Sequence, residues 1–365
     1  MSEEIDLTSR IRGVILGTAV GDALGLPAEG LGPKTIGRLW SGNWRHRLFF
    51  GKGMISDDTE HTLFVAQALL KHPDNAHRFQ RSLAWKLRWW LLGLPAAVGF
   101  GTLRAIVKLW LFFPPGKSGV ASAGNGPAMR SAILGVCFRR DRQKMRQMVR
   151  AATEITHKDA RAMVGALAVS LAAAVAVSSP EGDRPDHNKF LDEIAILPGG
   201  RDEEWSRLVG QMKQELAADS GVVDFAAQMG LENGVTGYAY HTAPVAIYAW
   251  LRHYADFRST LTEALNCGGD TDTVGAIAGA LAGAAVGEEG IPREWIEGIW
   301  DWPRGAALCR AIADELARQQ QGRQAGPVSY FWPAAPVRNL LFLAIVLFHG
   351  FLRLVPAGLR RRIGV

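Results

Sequence analysis

Small and apolar residues recur along this chain with the spacing of close-packed helices. From Ile11 to Leu24, Gly13, Gly17 and Gly21 fall four apart on one helical face, and the stretch after Thr273 repeats the pattern with Gly275, Gly279 and Gly283. Each glycine inside a helix costs roughly 1 kcal/mol relative to alanine, so a compensating contact is required. The two ridges are therefore predicted to pack on each other. Ala162 to Ser178 is Ala, Val and Leu on all sides and predicts a central buried helix, short and alanine-rich for a membrane span. Further helices are predicted from Leu63, up to Trp250, and from about Phe257 to Asn266. No stretch alternates with period two over several strands. The expectation is an all-α body over residues 1–325, with a polar connecting loop at 180–206 and a composition break opening an extension at 326–365.

Composition changes this picture little. A hydrophobic fraction of 48% and a charged fraction of 21% describe a folded chain, and the net charge of +6 owes much to Arg139, Arg140, Arg142 and Arg360–Arg362. These arginines read as solvated surface, and no nucleic-acid motif is evident. Cys137, Cys267 and Cys309 have neither zinc nor disulfide spacing. The N-terminus is acidic and lacks the pattern of a signal peptide, so a reducing, cytoplasmic setting is expected.

Two segments pose a choice between core and surface. Residues 79–113 set Trp85, Trp89, Trp90, Trp110, Phe112 and Phe113 among Lys86, Arg88, Arg104 and Lys108. Buried aromatic packing is the preferred reading over a membrane-surface or partner helix. Leu340 to Phe348 is strongly apolar, flanked by Tyr330, Phe331, Trp332 and the terminal arginines. Packing on the body or on a partner is expected first, peripheral membrane attachment second.

Candidate chemistry concentrates in short polar runs at helix starts. Gly268-Gly269-Asp270-Thr271-Asp272-Thr273 gathers hard oxygen ligands at the mouth of the second glycine helix. Two carboxylates about 4 Å apart repel by about 4 kcal/mol at an effective dielectric of about 20, a repulsion that a cation would relieve. Ser56-Asp57-Asp58-Thr59 offers a second set, although Asp57 with Glu60 also resembles a capping box. Gly124-Asn125-Gly126 opens another helix with small residues suited to a phosphate, a weak signal alone. Asp22 could cap a neighbouring helix, Glu29 could be solvated, and His157 could cap the buried helix that follows it.

Taken in order, six motifs resemble the ADP-ribosylglycohydrolase family, which includes the dinitrogenase-reductase-activating enzymes. They are Gly21-Asp22-Ala23-Leu24-Gly25 with Glu29, Ser56–Thr59, Gly124–Arg130, Thr156-His157-Lys158-Asp159, Gly237-Tyr238 and Gly268–Thr273, within residues 10–310. The resemblance implies a compact, orthogonal, all-α fold with two Mg²⁺ (or Mn²⁺) ions in a cleft between helices. Their ligands would be Ser56, Asp57, Asp58, Asp270, Asp272 and Thr273, an oxygen set that suits these ions better than zinc. It further implies hydrolysis of the glycosidic bond between ADP-ribose and a protein side chain, through an oxocarbenium-like state. Glu29, Asp58 and Asp272 would serve catalysis, and Asp22 would stand behind the ligands. Gly124, Asn125 and Gly126 would hold the diphosphate, with His157 and Tyr238 on the ribose and adenosine side. The substrate would be an ADP-ribosylated protein and ADP-ribose the product. Arginine linkage is favoured over serine, with one departure: Ser122 stands where some arginine-linkage members carry a carboxylate. The alternative is a silent or immunity-type binding protein on the same scaffold, neutralising an ADP-ribosyltransferase.

Overall fold

The two glycine ridges meet. The Leu7–Gly25 helix lies antiparallel to the Thr271–Val286 helix along their length. A Cβ at Gly13 would stand 2.2 Å from the Gly283 carbonyl oxygen, one at Gly17 2.1 Å from that of Gly279, and one at Gly21 1.9 Å from that of Gly275. No side chain fits in such a seam, which accounts for glycine every fourth residue on both helices. Gly25 extends the contact to Thr271, whose hydroxyl donates to the Gly25 carbonyl at 2.8 Å. The last turn of the first helix and the first turn of the second are thereby held side by side, and both carry aspartates.

The computed structural model describes residues 6–96, 98–180, 183–197 and 202–354, without the side chains of 352–354. Among the described residues there are nineteen α-helices, one 3-10 turn at Leu26–Ala28 and no strand beyond isolated bridges. The Ala160–Ser178 helix is buried along nearly all its length and packs on the Ala132–Cys137, Ala239–Arg252 and Thr271–Val286 helices. One continuous apolar core joins them.

Four local expectations are corrected. The 180–206 region holds a helix, His187–Ala195, because Phe190, Leu191 and Ile194 bury one face and Asp186 accepts the Lys189 N–H as its cap; residues 181–182 and 198–201 lie outside the described residues. The helix after Gly124-Asn125 is a single turn, Gly126–Met129. Ser56, and not Asp57, caps Asp57–Lys71, and Glu60 turns inward instead of closing a capping box. Residues 79–113 split into Ala76–Leu92 and Phe100–Trp110; Trp90 is buried, yet Trp85 and Trp89 are about half exposed and Phe112 almost fully so.

The segment 326–354 ends in a helix, Ala334–Leu354, seated on the body by polar groups. Buried Arg338 bonds the Asp301 carboxylate and the Ile55 carbonyl, and buried Asn339 donates to the Gly93 carbonyl at 2.7 Å. Glu60 meets Arg304 at 2.9 Å and Arg338 at 3.6 Å, and the Trp90 indole N–H donates to it. Among the described residues three helical segments are long and apolar enough to cross a membrane: Leu7–Ala28 and Ala160–Ser178 lie inside the body, whereas Ala334–Phe351 is only 33% buried.

Candidate active site

Five loops from distant parts of the chain are tied together where the two glycine helices meet. Gly30 N–H donates to the Gly269 carbonyl at 2.8 Å and Gly269 N–H to Leu31 at 2.8 Å. Val235 and Asp270 exchange bonds with the same turn, at 2.9 Å to Gly268 and 2.8 Å from Asp270 N–H to the Val235 carbonyl. Asn125 N–H donates to Gly237 at 2.9 Å, and Val120 pairs with Thr156 and Lys158. The turn at 268–269 depends on glycine. Both residues have positive φ, 67° and 82°, and a Cβ at Gly269 would lie 1.9 Å from the Val235 carbonyl oxygen. These bonds bring the 29–31, 235–238, 268–270, 123–125 and 156–158 segments into one surface.

The carboxylates gather at its centre. Fully buried Asp22 accepts the backbone N–H groups of Ser56, at 2.9 and 3.0 Å to its two oxygens, and of Thr59 at 3.2 Å, together with the Thr59 hydroxyl. It thus caps the Asp57–Lys71 helix from outside and fixes the Ser56–Asp58 run against the first glycine helix. Asp58, also buried, accepts from the Ser56 hydroxyl at 3.2 Å and the Thr273 hydroxyl at 3.3 Å through Oδ2, while its Oδ1 has no hydrogen-bond partner. Asp270 is half-buried and takes a 2.6 Å bond from the Asn125 amide; Asp272 is buried and accepts the Thr273 N–H at 3.0 Å. Exposed Glu29 follows the Leu26–Ala28 turn, near enough to Asp272 for their charges to interact.

Burial, then the repulsion of their neighbours, holds Asp57, Asp58 and Asp272 well above the ordinary carboxylate range. Asp22 is raised only to about 6, because burial is partly offset by the bonds it accepts from Thr59 and Ser56. Among the described residues no three His, Cys, Asp or Glu side chains stand in a ready ligating arrangement. The carboxylates instead turn to Ser56, Thr273 and Asn125, the partners within reach. The donor chemistry nevertheless fits a hard divalent cation: carboxylate and hydroxyl oxygens converge, one buried Asp58 oxygen lacks a partner, and the surrounding charge is negative.

The other expected residues divide. Asn125 reaches the cluster itself through Asp270 and Thr242, at 2.6 and 3.0 Å. The loop's amides are partly committed, Gly124 N–H to the Ser122 hydroxyl at 3.3 Å and Asn125 N–H to Gly237. His157 lies beneath that loop: a Cβ at Gly124 or Gly126 would meet its ring at 3.1 or 3.2 Å, so the glycines make room for it. Burial, then the nearby Arg130, pushes this imidazole down to about 3, and its Nδ1 pairs with the Thr156 hydroxyl at 2.9 Å. His157 therefore supports the loop as a neutral group. Tyr238 is half-buried at the edge, its hydroxyl donating to Glu204 at 2.9 Å with the Arg161 guanidinium over its ring.

Buried Arg130 has no role in the sequence-based reading. Its guanidinium holds the Ala152 carbonyl at 3.0 Å and the Thr156 hydroxyl at 2.6 Å and lies by His61 at 3.2 Å, a fixed cation close enough to Asp57 for attraction. The pairing of Arg304 with Glu60 has no signal either, because nothing in a sequence marks a buried ion pair 244 positions apart.

An all-helical body whose tightest helix pair ends in a cluster of buried aspartates defines a narrow class, and comparison with known proteins agrees. The chain belongs to the ADP-ribosylglycohydrolase family, whose sequence pattern matches residues 3–326. An uncharacterized protein of Archaeoglobus fulgidus is 30% identical, over 85% of this chain and 95% of its own. ADP-ribosylhydrolase ARH3 of Gallus gallus is 27% identical over 79% of this chain and 88% of its own. The ADP-ribosyl-[dinitrogen reductase] glycohydrolase of Rhodospirillum rubrum is 27% identical over 79% and 89%. A solved ADP-ribosylglycohydrolase-related protein complex superposes with a TM-score of 0.58 at 25% identity, covering 86% of this chain and 99% of that one.

Proposed function

We propose that this ADP-ribosyl hydrolase cleaves the glycosidic bond joining ADP-ribose to a protein side chain, using two Mg²⁺ or Mn²⁺ ions held by Ser56, Asp57, Asp58, Asp270, Asp272 and Thr273. The observation that carries the reading is the unpartnered oxygen of buried Asp58 amid carboxylates that repel one another. When bound, such ions supply positive charge that orients sugar hydroxyls and makes water more acidic. The chain's own groups do the rest. Asp22 fixes the Ser56–Asp58 run through the helix end it caps. Asn125 holds Asp270, and so couples the loop assigned to the diphosphate to the acidic cluster. Glu29, exposed and within electrostatic reach of Asp272, would exchange a proton with solvent and with the reacting centre. Tyr238 borders the sugar and adenosine side, and His157 sets the loop's height as a neutral support.

Arginine-linked protein is the first substrate to try. Ser122 offers only a hydroxyl where a carboxylate would pair with a guanidinium, which makes serine-linked protein the necessary second. The test is release of free ADP-ribose from each, with magnesium and then with EDTA. Magnesium-dependent release from either supports the reading, and the preferred substrate identifies the linkage. Release unaffected by EDTA would remove the metal, and no release from any linked protein would remove the reaction.

A further inference from the structure

We infer that the Ala334–Leu354 helix and the adjoining tryptophan-rich surface form a face that lies on an anionic lipid bilayer, with the helix in the plane of the membrane. The helix is turned inside out. Arg338, Asn339, Phe342 and Ile345 point into the body, and the outward positions are Val337, Leu340, Leu341, Leu347, Phe348 and Phe351, all exposed. A helix in water puts its polar side outward, whereas this one has its buried charge inside and a hydrocarbon stripe outside. The stripe runs about 27 Å at 1.5 Å per residue over 334–351.

The apolar surface continues onto the body. The Trp332 ring meets the Trp89 ring at 6.0 Å, and Trp89 in turn meets Trp110 at 6.2 Å. Of the 23 exposed large apolar side chains among the described residues, 18 fall within 75–140 or 316–365. Those same two stretches contain no Asp or Glu, although the chain has 35, and among the described residues ten of their Lys and Arg lie outside the buried core, Arg78, Arg81, Arg104 and Lys117 among them. Cations sit beside the exposed rings: Arg104 lies 5.5 Å from the Phe100 ring, and Lys108 lies 5.1 Å from that of Phe113. Apolar bodies with basic groups and tryptophans around them match the chemistry of a headgroup boundary.

Charge separates a bilayer from the other occupant such a face could have. A second copy would bring the same basic side chains beside the exposed rings and be repelled by them, whereas anionic headgroups complement them. An upright span is disfavoured as well, since it would pull Arg338 from Asp301 and Asn339 from Gly93 and expose a guanidinium to hydrocarbon. The inference does not rest on the reaction proposed above.

The test is flotation of the full chain with phosphatidylcholine vesicles and with vesicles containing about 30% phosphatidylglycerol. The bound fraction should be roughly tenfold higher on the anionic vesicles and fall in about 0.5 M salt. It should drop roughly tenfold again in Leu340→Glu/Leu347→Glu, whose outward positions leave the melting temperature unchanged. Three results would overturn the inference: no enrichment on either vesicle, equal binding by the double variant, or a vesicle-indifferent dimer by light scattering that the double variant makes monomeric.

Discussion

Replacing Gly17 with alanine tests the seam on which the site is built. An alanine methyl at 17 would stand 2.1 Å from the Gly279 carbonyl oxygen and 3.3 Å from the Phe257 ring. Backbone cannot rotate away as a side chain can, so the helices must part by about 1 Å, enough to forfeit a quarter to a half of the attraction between facing atoms. Overpacking of this kind costs about 1–3 kcal/mol, against about 1 kcal/mol regained from alanine's helix propensity. The net loss is about 0–2 kcal/mol, a fall in Tm of up to about 3 °C for a chain of this length. Gly210, inside the Glu203–Ala217 helix with open space where its Cβ would go, supplies the opposite sign. There the same substitution should stabilise by up to about 1 kcal/mol. Asp22 and Asp272 ride on the two ends that would part, so Gly17→Ala should also lower ADP-ribose release by about 100-fold while Gly210→Ala leaves it unchanged. Adding Gly279→Ala should cost less than its single effect, because the first methyl has already opened the seam. Thermal melting of wild type, the three single variants and the double variant, with a turnover assay, decides it. A stabilised Gly17→Ala protein, matching Gly210→Ala, would refute the close packing.

Other outcomes follow from the same geometry. Asp58→Asn removes one charge from a repelling buried cluster, so the metal-free protein should melt higher than wild type and lose any upward shift on adding magnesium; a retained shift would take Asp58 out of the site. Arg338→Met strips a buried cation from Asp301 and Glu60 and should cost about 3–5 kcal/mol, whereas Arg161→Met at an exposed pair should cost about 0–1 kcal/mol; denaturant melts compare them, and equal costs would contradict the buried network. His157 is held down to about 3 when folded and returns to about 6.5 on unfolding, so its contribution is complete above the unfolded value and is lost as pH falls. At pH 5 that loss is about 2 kcal/mol, and His157→Gln should show a correspondingly smaller drop between pH 7 and pH 5; parallel profiles would mean the imidazole titrates in the folded protein.

What the sequence disclosed was whatever repeats or clusters locally. Glycine at every fourth position forecast a helix pair that the structure closes to backbone contact, and an alanine-rich run without a polar face forecast the buried Ala160–Ser178 helix. The runs at 56–59 and 270–273 were equally legible, because their oxygens are neighbours along the chain. Contacts spanning hundreds of residues were not. Arg338 reads as a stray charge in an apolar tail until Asp301 and Glu60 are placed beside it. Glu60 imitates a capping residue because spacing records position and not direction. Helical periodicity likewise showed that the Ala76–Leu92 helix has an apolar face, but tryptophans on two sides of it could not be sorted into buried Trp90 and exposed Trp89 without their neighbours.

The seam also explains why five aspartates from separate parts of the chain can share one small volume. Asp22 lies in the last turn of one glycine helix and Asp272 in the first turn of the other, and backbone contact between those helices leaves no room for either to retreat. Asp22 spends its oxygens on the start of the Asp57–Lys71 helix and so delivers Asp57 and Asp58 to the same place. Asp270 is drawn in by Asn125 from a loop that is itself pinned to the Gly237 backbone. Each placement is enforced by bonds to backbone, hydroxyl or amide groups, and each adds to a repulsion the carboxylates cannot relieve by moving apart. A fold that secures five aspartates against their mutual repulsion through a helix seam, a remote cap and an amide clamp would be stabilised by a hard cation that entered. Changes at Gly17 or Asn125, neither of which carries charge, should therefore weaken magnesium binding as surely as a change at Asp270.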